Sequence, residues 1–165
     1  MIVLADAKAL ERIAAEEITA LTETATGATF YTAALSPEQV AANRRIVAIA
    51  ADACFTAAAS DRQHFAAAFV EGAFAGYVIA THHGEEDREL DWLMVHPRFH
   101  GTPVSATLME AGIAWLGADR ALWLNVIRHN ERAIRFYRRF GFEIDPEVRT
   151  NHVVPHAIMR RSAYG

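Results

Sequence analysis

The stretch LWLNVIRHNERAIRFYRRFGFEI, residues 122–144, constrains the fold more than any other part of the chain. LWLNVI alternates apolar residues and reads as a strand, NERAIRFYRRF as a helix, and GFEI as a second strand. On a helix starting near Asn130, the positions Asn130, Ala133, Ile134 and Tyr137 fall at i, i+3, i+4 and i+7 and share one face. That face should turn inward, yet it carries an amide and a phenol where plain packing would place Leu or Val. Read as structure alone, Asn130 is a helix N-cap and Tyr137 a core ring with a satisfied hydroxyl. Arg128, Arg132, Arg135 and Arg139 line the other side, a pattern that suits a solvated face and also a phosphate.

The rest of the chain divides into two textures. Ile2 to Leu4 reads as a short strand, and ADAKALERIAAEEITALTE repeats apolar residues at Leu10, Ile13, Ala14, Ile18 and Leu21, a helical spacing. TATGATFYTAAL should break that helix at Gly27. Ser36 before Pro37 then opens a long alanine-rich helix with an N-cap and a proline at the first helical position. From residue 64, HFAAAFVEGAFAGYVIATHHGEEDRELDWLMV reads as three strands turned at Glu71-Gly72 and at HHGEED. PVSATLMEAGIAWLG is helical, with Val104, Leu108, Ala111 and Trp115 on one face. HVVPHAIMRR ends the chain as a strand whose Pro155 suggests an edge or a bulge.

Composition excludes several classes. A chain of 165 residues, 52% hydrophobic and 22% charged, suits one globular domain spanning residues 1–165. A net charge of −4 offers no basic field for nucleic acid or an anionic membrane. No apolar run approaches the ~20 residues of a membrane span, and the start meets charge at Asp6, unlike a signal peptide. The lone Cys54 cannot form an internal disulfide, which agrees with a reducing compartment. The expected location is the cytoplasm. His82 and His83 point to opposite faces of a strand, and the other histidines have no metal-ligand spacing, so no metal is expected.

At residues 124–142 the chain resembles the GCN5-related N-acetyltransferases (GNAT). Their pattern L-x-V-x-x-x-N-x-x-A-x-x-x-Y-x-x-x-G-F falls on Leu124, Val126, Asn130, Ala133, Tyr137, Gly141 and Phe142. ELDWLMVHP is similar to the family's fourth strand, FVEGAFAGYVIA to its preceding hairpin, and HGTPVSATLM lies where its pyrophosphate loop falls. The loop departs from the family's Arg/Gln-x-x-Gly-x-Gly/Ala at His100, Pro103 and Ser105, while Gly101 remains. Thr102 and Pro103 form an N-cap and first-turn pair, and the N–H groups of Gly101, Thr102, Val104 and Ser105 stand near the positive end of the helix. A charged His100 would add to that grip only below its pKa, so affinity for an anion should weaken as pH rises through roughly 6 to 8.

The resemblance implies an α/β GNAT fold: a mixed, mostly antiparallel sheet with splayed fourth and fifth strands, flanked by helices. It implies direct transfer of an acetyl group from acetyl-CoA to an amine, with no metal. Leu93, Met94 and Val95 would pair with the pantetheine, and His100, Gly101, Thr102, Pro103, Val104, Ser105 and Ala106 would hold the pyrophosphate. Asn130 and Ala133 would complete the cofactor contacts, and Tyr137 would protonate the departing thiolate. Glu89 and Asp91, which alternate onto one face with Leu93 and Val95, are the candidates for the general base. Partners would be the thioester and an amine acceptor, with Phe30 and Tyr31 near the acceptor; a homodimer stays open. The competing class is an acyl-CoA-binding or interaction domain, catalytically weak or inactive, whose phosphate loop has drifted.

Overall fold

The computed structural model describes residues 1–163. Its sheet contains β1 (Ile2–Ala5), β2 (Gln63–Val70), β3 (Ala73–Gly84), β4 (Asp87–Val95), β5 (Leu122–Ile127), β6 (Glu143–Ile144) and β7 (His156–Arg161). The spatial order is β1-β2-β3-β4-β5-β7-β6, and every pairing is antiparallel except β4 with β5. Four helices flank it: α1 (Ala15–Phe30), α2 (Pro37–Ala59), α3 (Val104–Leu116) and α4 (Glu131–Arg138). On one face α1 and α2 bury Ile18, Leu21, Ala50 and Cys54 against Phe65, Tyr77 and Ile79. On the other, α3 and α4 bury Leu108, Met109, Ile113 and Ile134 against Val78, Leu90, Leu124 and Met159. Among the described residues, no helix is long and apolar enough to cross a membrane.

Two local expectations fail in the first half for identifiable reasons. Asp6 caps a 3-10 turn at Ala7–Glu11 by accepting from Lys8 N at 3.1 Å, so the helical spacing from Ala5 is split in two. α1 begins only at Ala15 and then runs through Gly27 to Phe30. Gly27 costs about 1 kcal/mol against alanine there, too little to end a helix held down by a buried face. The Ser36 cap is as read: its hydroxyl accepts from Gln39 N at 3.1 Å, with Pro37 following.

The second half keeps its elements but not every face. The buried side of α3 runs through Val104, Leu108, Met109, Gly112, Ile113 and Leu116, leaving Ala111 and Trp115 at its flank. β7 is not an edge strand: it lies between β5 and β6, and Pro155 sits just before it. A proline without an N–H is tolerated at that point, where its carbonyl accepts from Arg128 N at 2.9 Å. Between β2 and β3, Glu71 and Gly72 both have positive φ, 50° and 79°, the conformation of a tight hairpin turn.

Gly76 is demanded by close approach. A Cβ there would lie 2.5 Å from Met94 O and 3.1 Å from Leu108 Cδ1, so β3, β4 and α3 meet at their tightest opposite the end of β4. Gly76→Ala is expected to destabilise the protein by about 1–3 kcal/mol, the usual cost of overpacking, as read from chemical denaturation. An unchanged midpoint would show that the Met94 backbone moves freely.

Candidate active site

The site begins where two parallel strands part. β4 and β5 pair only at Glu89 and Trp123, so the backbone of β4 from there to Val95 is unpaired on its β5 side. Leu93, Met94 and Val95 lie along this opening, the position expected for a pantetheine arm. Past β4 the chain makes a 3-10 turn at Pro97–Phe99 and enters α3. The helix starts one residue later than expected: Pro103, not Thr102, occupies the cap, and its carbonyl accepts from Thr107 N at 2.9 Å. Gly101 takes a φ of 79°, which suits glycine and lets the chain turn into the helix.

Those caps change which N–H groups are free. Thr102 N donates to Phe99 O at 3.2 Å, and Val104 N reaches the Thr102 hydroxyl at 3.4 Å. Neither is then fully available. Among the described residues, no acceptor takes the N–H groups of Gly101, Ser105 and Ala106, nor the Ser105 hydroxyl. Three backbone N–H groups and one hydroxyl are thus left free at the start of α3, so Pro103 has not removed every donor there.

The charge at this loop comes from one of the α4 arginines whose pattern suits both a solvated face and a phosphate. Arg132, in the first turn of α4, donates from Nη1 to His100 Nδ1 at 2.5 Å. Burial, then the Arg132 charge, pushes the His100 pKa below its ordinary value. His100 is therefore a neutral acceptor that orients a guanidinium beside the loop. The expected loss of affinity between pH 6 and 8 moves to the acid side accordingly.

On α4, Asn130 is a cap: its Oδ1 accepts from Ala133 N at 3.2 Å. Ile134 is buried, whereas Asn130, Ala133 and Tyr137 are only partly covered. The Tyr137 ring packs edge-on to Phe136 and Phe142, with centroids 5.7 and 6.5 Å away. Among the described residues, nothing hydrogen-bonds its hydroxyl. Burial raises its pKa to about 12, so the phenol keeps its proton at any physiological pH.

The carboxylates sit on the opposite side of the sheet. β3 pairs Ile79 with Trp92 and Ala80 with Leu90, which leaves Asp91 as an extra, bulged residue. The bulge reverses the alternation, so the four residues expected on one face do not share it. Leu93 and Val95 join the α3 core, while Glu89 and Asp91 turn toward Thr81 on the α1–α2 side. Asp91 Oδ2 accepts from the Thr81 hydroxyl at 3.0 Å, and Glu89 Oε1 lies 2.7 Å from His83 Nε2. Glu89 is 6% exposed. Burial, and secondarily the Asp91 charge, pushes its pKa up to about 7. Burial also raises Asp91, against the Thr81 hydrogen bond.

A further polar residue lies on β5. Asn125, two residues beyond Trp123, is on the side opposite the core residues Leu124 and Val126. Its Oδ1 is buried and has no hydrogen-bond partner. Alternation around Leu124 and Val126 could have pointed to it. Phe30, by contrast, is buried against Val47, Ile127 and Val154, and Tyr31 is tied to Glu23 Oε2 at 2.9 Å. Phe30 is thus a core residue. Among the described residues, no group of three or more His, Cys, Asp or Glu could hold a metal.

A mostly antiparallel sheet flanked by helices, with β4 and β5 parallel and parting after one pair, is the fold of the GNAT acetyltransferases. The sequence pattern described as the Acetyltransferase (GNAT) family matches residues 28–142, and the chain belongs to that family. Uncharacterized N-acetyltransferases of Mycobacterium bovis and Mycobacterium tuberculosis are 38% identical over 77 residues, 46% of this chain and 49% of theirs. The chain thus spans about half the length of the curated relatives it matches. PaiA N-acetyltransferase from Thermoplasma acidophilum, solved in complex with coenzyme A, superposes with a TM-score of 0.72 at 16% identity, covering 98% of this chain and 99% of that one. Ard1 from Thermoplasma volcanium superposes with a TM-score of 0.64 at 17% identity, covering 97% and 96%. At such identities the likeness is one of fold.

Proposed function

We propose that this protein transfers an acetyl group from acetyl-CoA directly to a primary amine of a small molecule or a protein. The observation that carries the reading is the opening between β4 and β5, followed along the chain by the unpaired N–H groups of Gly101, Ser105 and Ala106, together with the unpartnered Tyr137 hydroxyl on α4. The three N–H groups and Arg132 hold the pyrophosphate, and the backbone of Leu93 to Val95 holds the pantetheine. A backbone N–H of β4 stabilises the oxyanion that develops on the acetyl carbonyl. Glu89, with a pKa near the working pH, is the general base that takes the amine proton, and Asp91 accepts from the amine's remaining N–H. Tyr137 gives its proton to the leaving thiolate.

Isothermal titration with acetyl-CoA, followed by CoA release across a panel of amines, tests this reading. Binding without turnover on any amine would favour the catalytically inactive binding domain, which the departures at His100, Pro103 and Ser105 otherwise suggest. Absence of binding would remove both. Arg132→Ala is expected to weaken acetyl-CoA about tenfold, as for one charge-assisted phosphate contact, and to flatten the dependence of affinity on salt. In wild type the affinity should be level from about pH 7 to 8, where His100 is already neutral. A steady fall over that range would return the charge to His100.

A further inference from the structure

A buried base must shed its proton before it can act again, and Glu89 has little contact with water: its side chain is 8% exposed. The residue it touches is not buried. His83 Nε2 lies 2.7 Å from Glu89 Oε1, and the His83 side chain is 42% exposed. Its position is built. The β3–β4 register shifts between His82 and Gly84, so His83 is a second bulged residue, across the hairpin from the bulge at Asp91. His82 stacks on Trp115 of α3, 4.2 Å between centroids, whereas His83 stacks on Trp123 of β5 at 5.9 Å and 26°. Trp123 is held in turn, its Nε1 donating to Asp87 Oδ1 at 2.6 Å. The imidazole is thereby fixed between a buried carboxylate and solvent.

Resting on the acetyltransferase reading, we propose that His83 is the relay through which Glu89 returns its proton to water. As the amine nitrogen bonds to the acetyl carbon and the C–S bond breaks, the amine proton passes to Glu89 and the Tyr137 proton to the thiolate. At rest His83 Nε2–H donates to the Glu89 carboxylate. Once Glu89 is protonated, the exposed imidazole exchanges with water to its Nδ1–H tautomer, and Glu89 O–H protonates the freed Nε2. The Nδ1 proton then leaves to bulk water, which restores the resting Nε2–H tautomer, while Tyr137 regains its proton from solvent. The charged groups acting on the pair are Asp87 and Asp91, both from β4. β5 contributes the neutral Trp123 indole, and β2 contributes Gln63, which donates to the Thr81 hydroxyl at 3.1 Å. Two carboxylates facing the pair favour the imidazolium through which the proton passes.

His83 acts through Glu89, so its test needs readouts that simple structural support would not move. In His83→Gln, an amide keeps a donor to Glu89 but cannot carry a proton, and kcat should fall roughly tenfold, less than the 10²–10⁴ expected for losing the base itself. In His83→Ala, added imidazole should restore most of the lost rate, and the acid limb of kcat/KM should move to higher pH, because the hydrogen bond that holds the Glu89 pKa down is gone. Carbon-13 NMR of the Glu89 carboxyl should show its midpoint near 7 in wild type and higher in His83→Ala, with no acceptor needed. Wild-type rates in both variants, or a Glu89 midpoint that ignores His83, would overturn the relay alone. A wild type inert toward every amine would overturn the acetyltransferase reading and the relay with it.

Discussion

Glu89→Gln is expected to lower kcat/KM by about 10²–10⁴-fold on any amine the protein acetylates, the usual loss when a general base is removed. The same change should stabilise the protein in alkaline solution. Burial raises the Glu89 pKa from an ordinary 4.5 to about 7, so the folded state favours the protonated acid. Its stabilising contribution is complete below the ordinary value and is lost as pH rises through about 7. The loss is on the order of 3 kcal/mol at about 1.4 kcal/mol per pKa unit, and glutamine, which is never charged, avoids it. Scanning calorimetry should therefore find equal Tm values near pH 4 and a higher Tm for Glu89→Gln near pH 8. Parallel pH dependence in the two proteins would mean that Glu89 is not buried as an acid. Asp91→Asn should behave differently. Removing the Asp91 charge lowers the Glu89 pKa, so the alkaline rise of kcat/KM should survive but begin at lower pH.

Tyr137→Phe is expected to reduce kcat by about 10²-fold or more, the scale of a lost general acid, with acetyl-CoA affinity nearly unchanged. The structure makes this substitution clean. The ring's contacts with Phe136 and Phe142 remain, and no protein group among the described residues loses a hydrogen bond. Stability should therefore stay within about 0.5 kcal/mol of wild type. Single-turnover kinetics with bound acetyl-CoA would isolate the chemical step from product release. Turnover equal to wild type would reduce Tyr137 to a packing residue and assign thiolate protonation to solvent.

The contrast between the two halves of the site follows from where their signals reside. Residues 122–144 could be read directly because strand alternation and helical periodicity are local, and because a polar pair at Asn130 and Tyr137 is conspicuous on a face that should be apolar. The N-cap at Ser36 and the Glu71-Gly72 turn were legible for the same reason: each is a short-range backbone preference. The base side was not. Period-two counting places Glu89, Asp91, Leu93 and Val95 together, but the bulge that separates them arises from how β4 pairs with β3, which no pattern within β4 records. Arg132 likewise is one of several arginines on a helix face that suits either solvent or a phosphate, until the fold brings His100 against it. His83 and Glu89 are joined by a hairpin register, β4 and β5 by a single parallel rung at Glu89 and Trp123, and β7 enters between β5 and β6 although it follows both in the chain. The sequence by itself determined most of the elements and the polar pair Asn130 and Tyr137 on α4. The tertiary structure alone decided that Glu89 is buried and that Arg132 meets His100, because burial and charge proximity depend on residues brought together from distant parts of the chain.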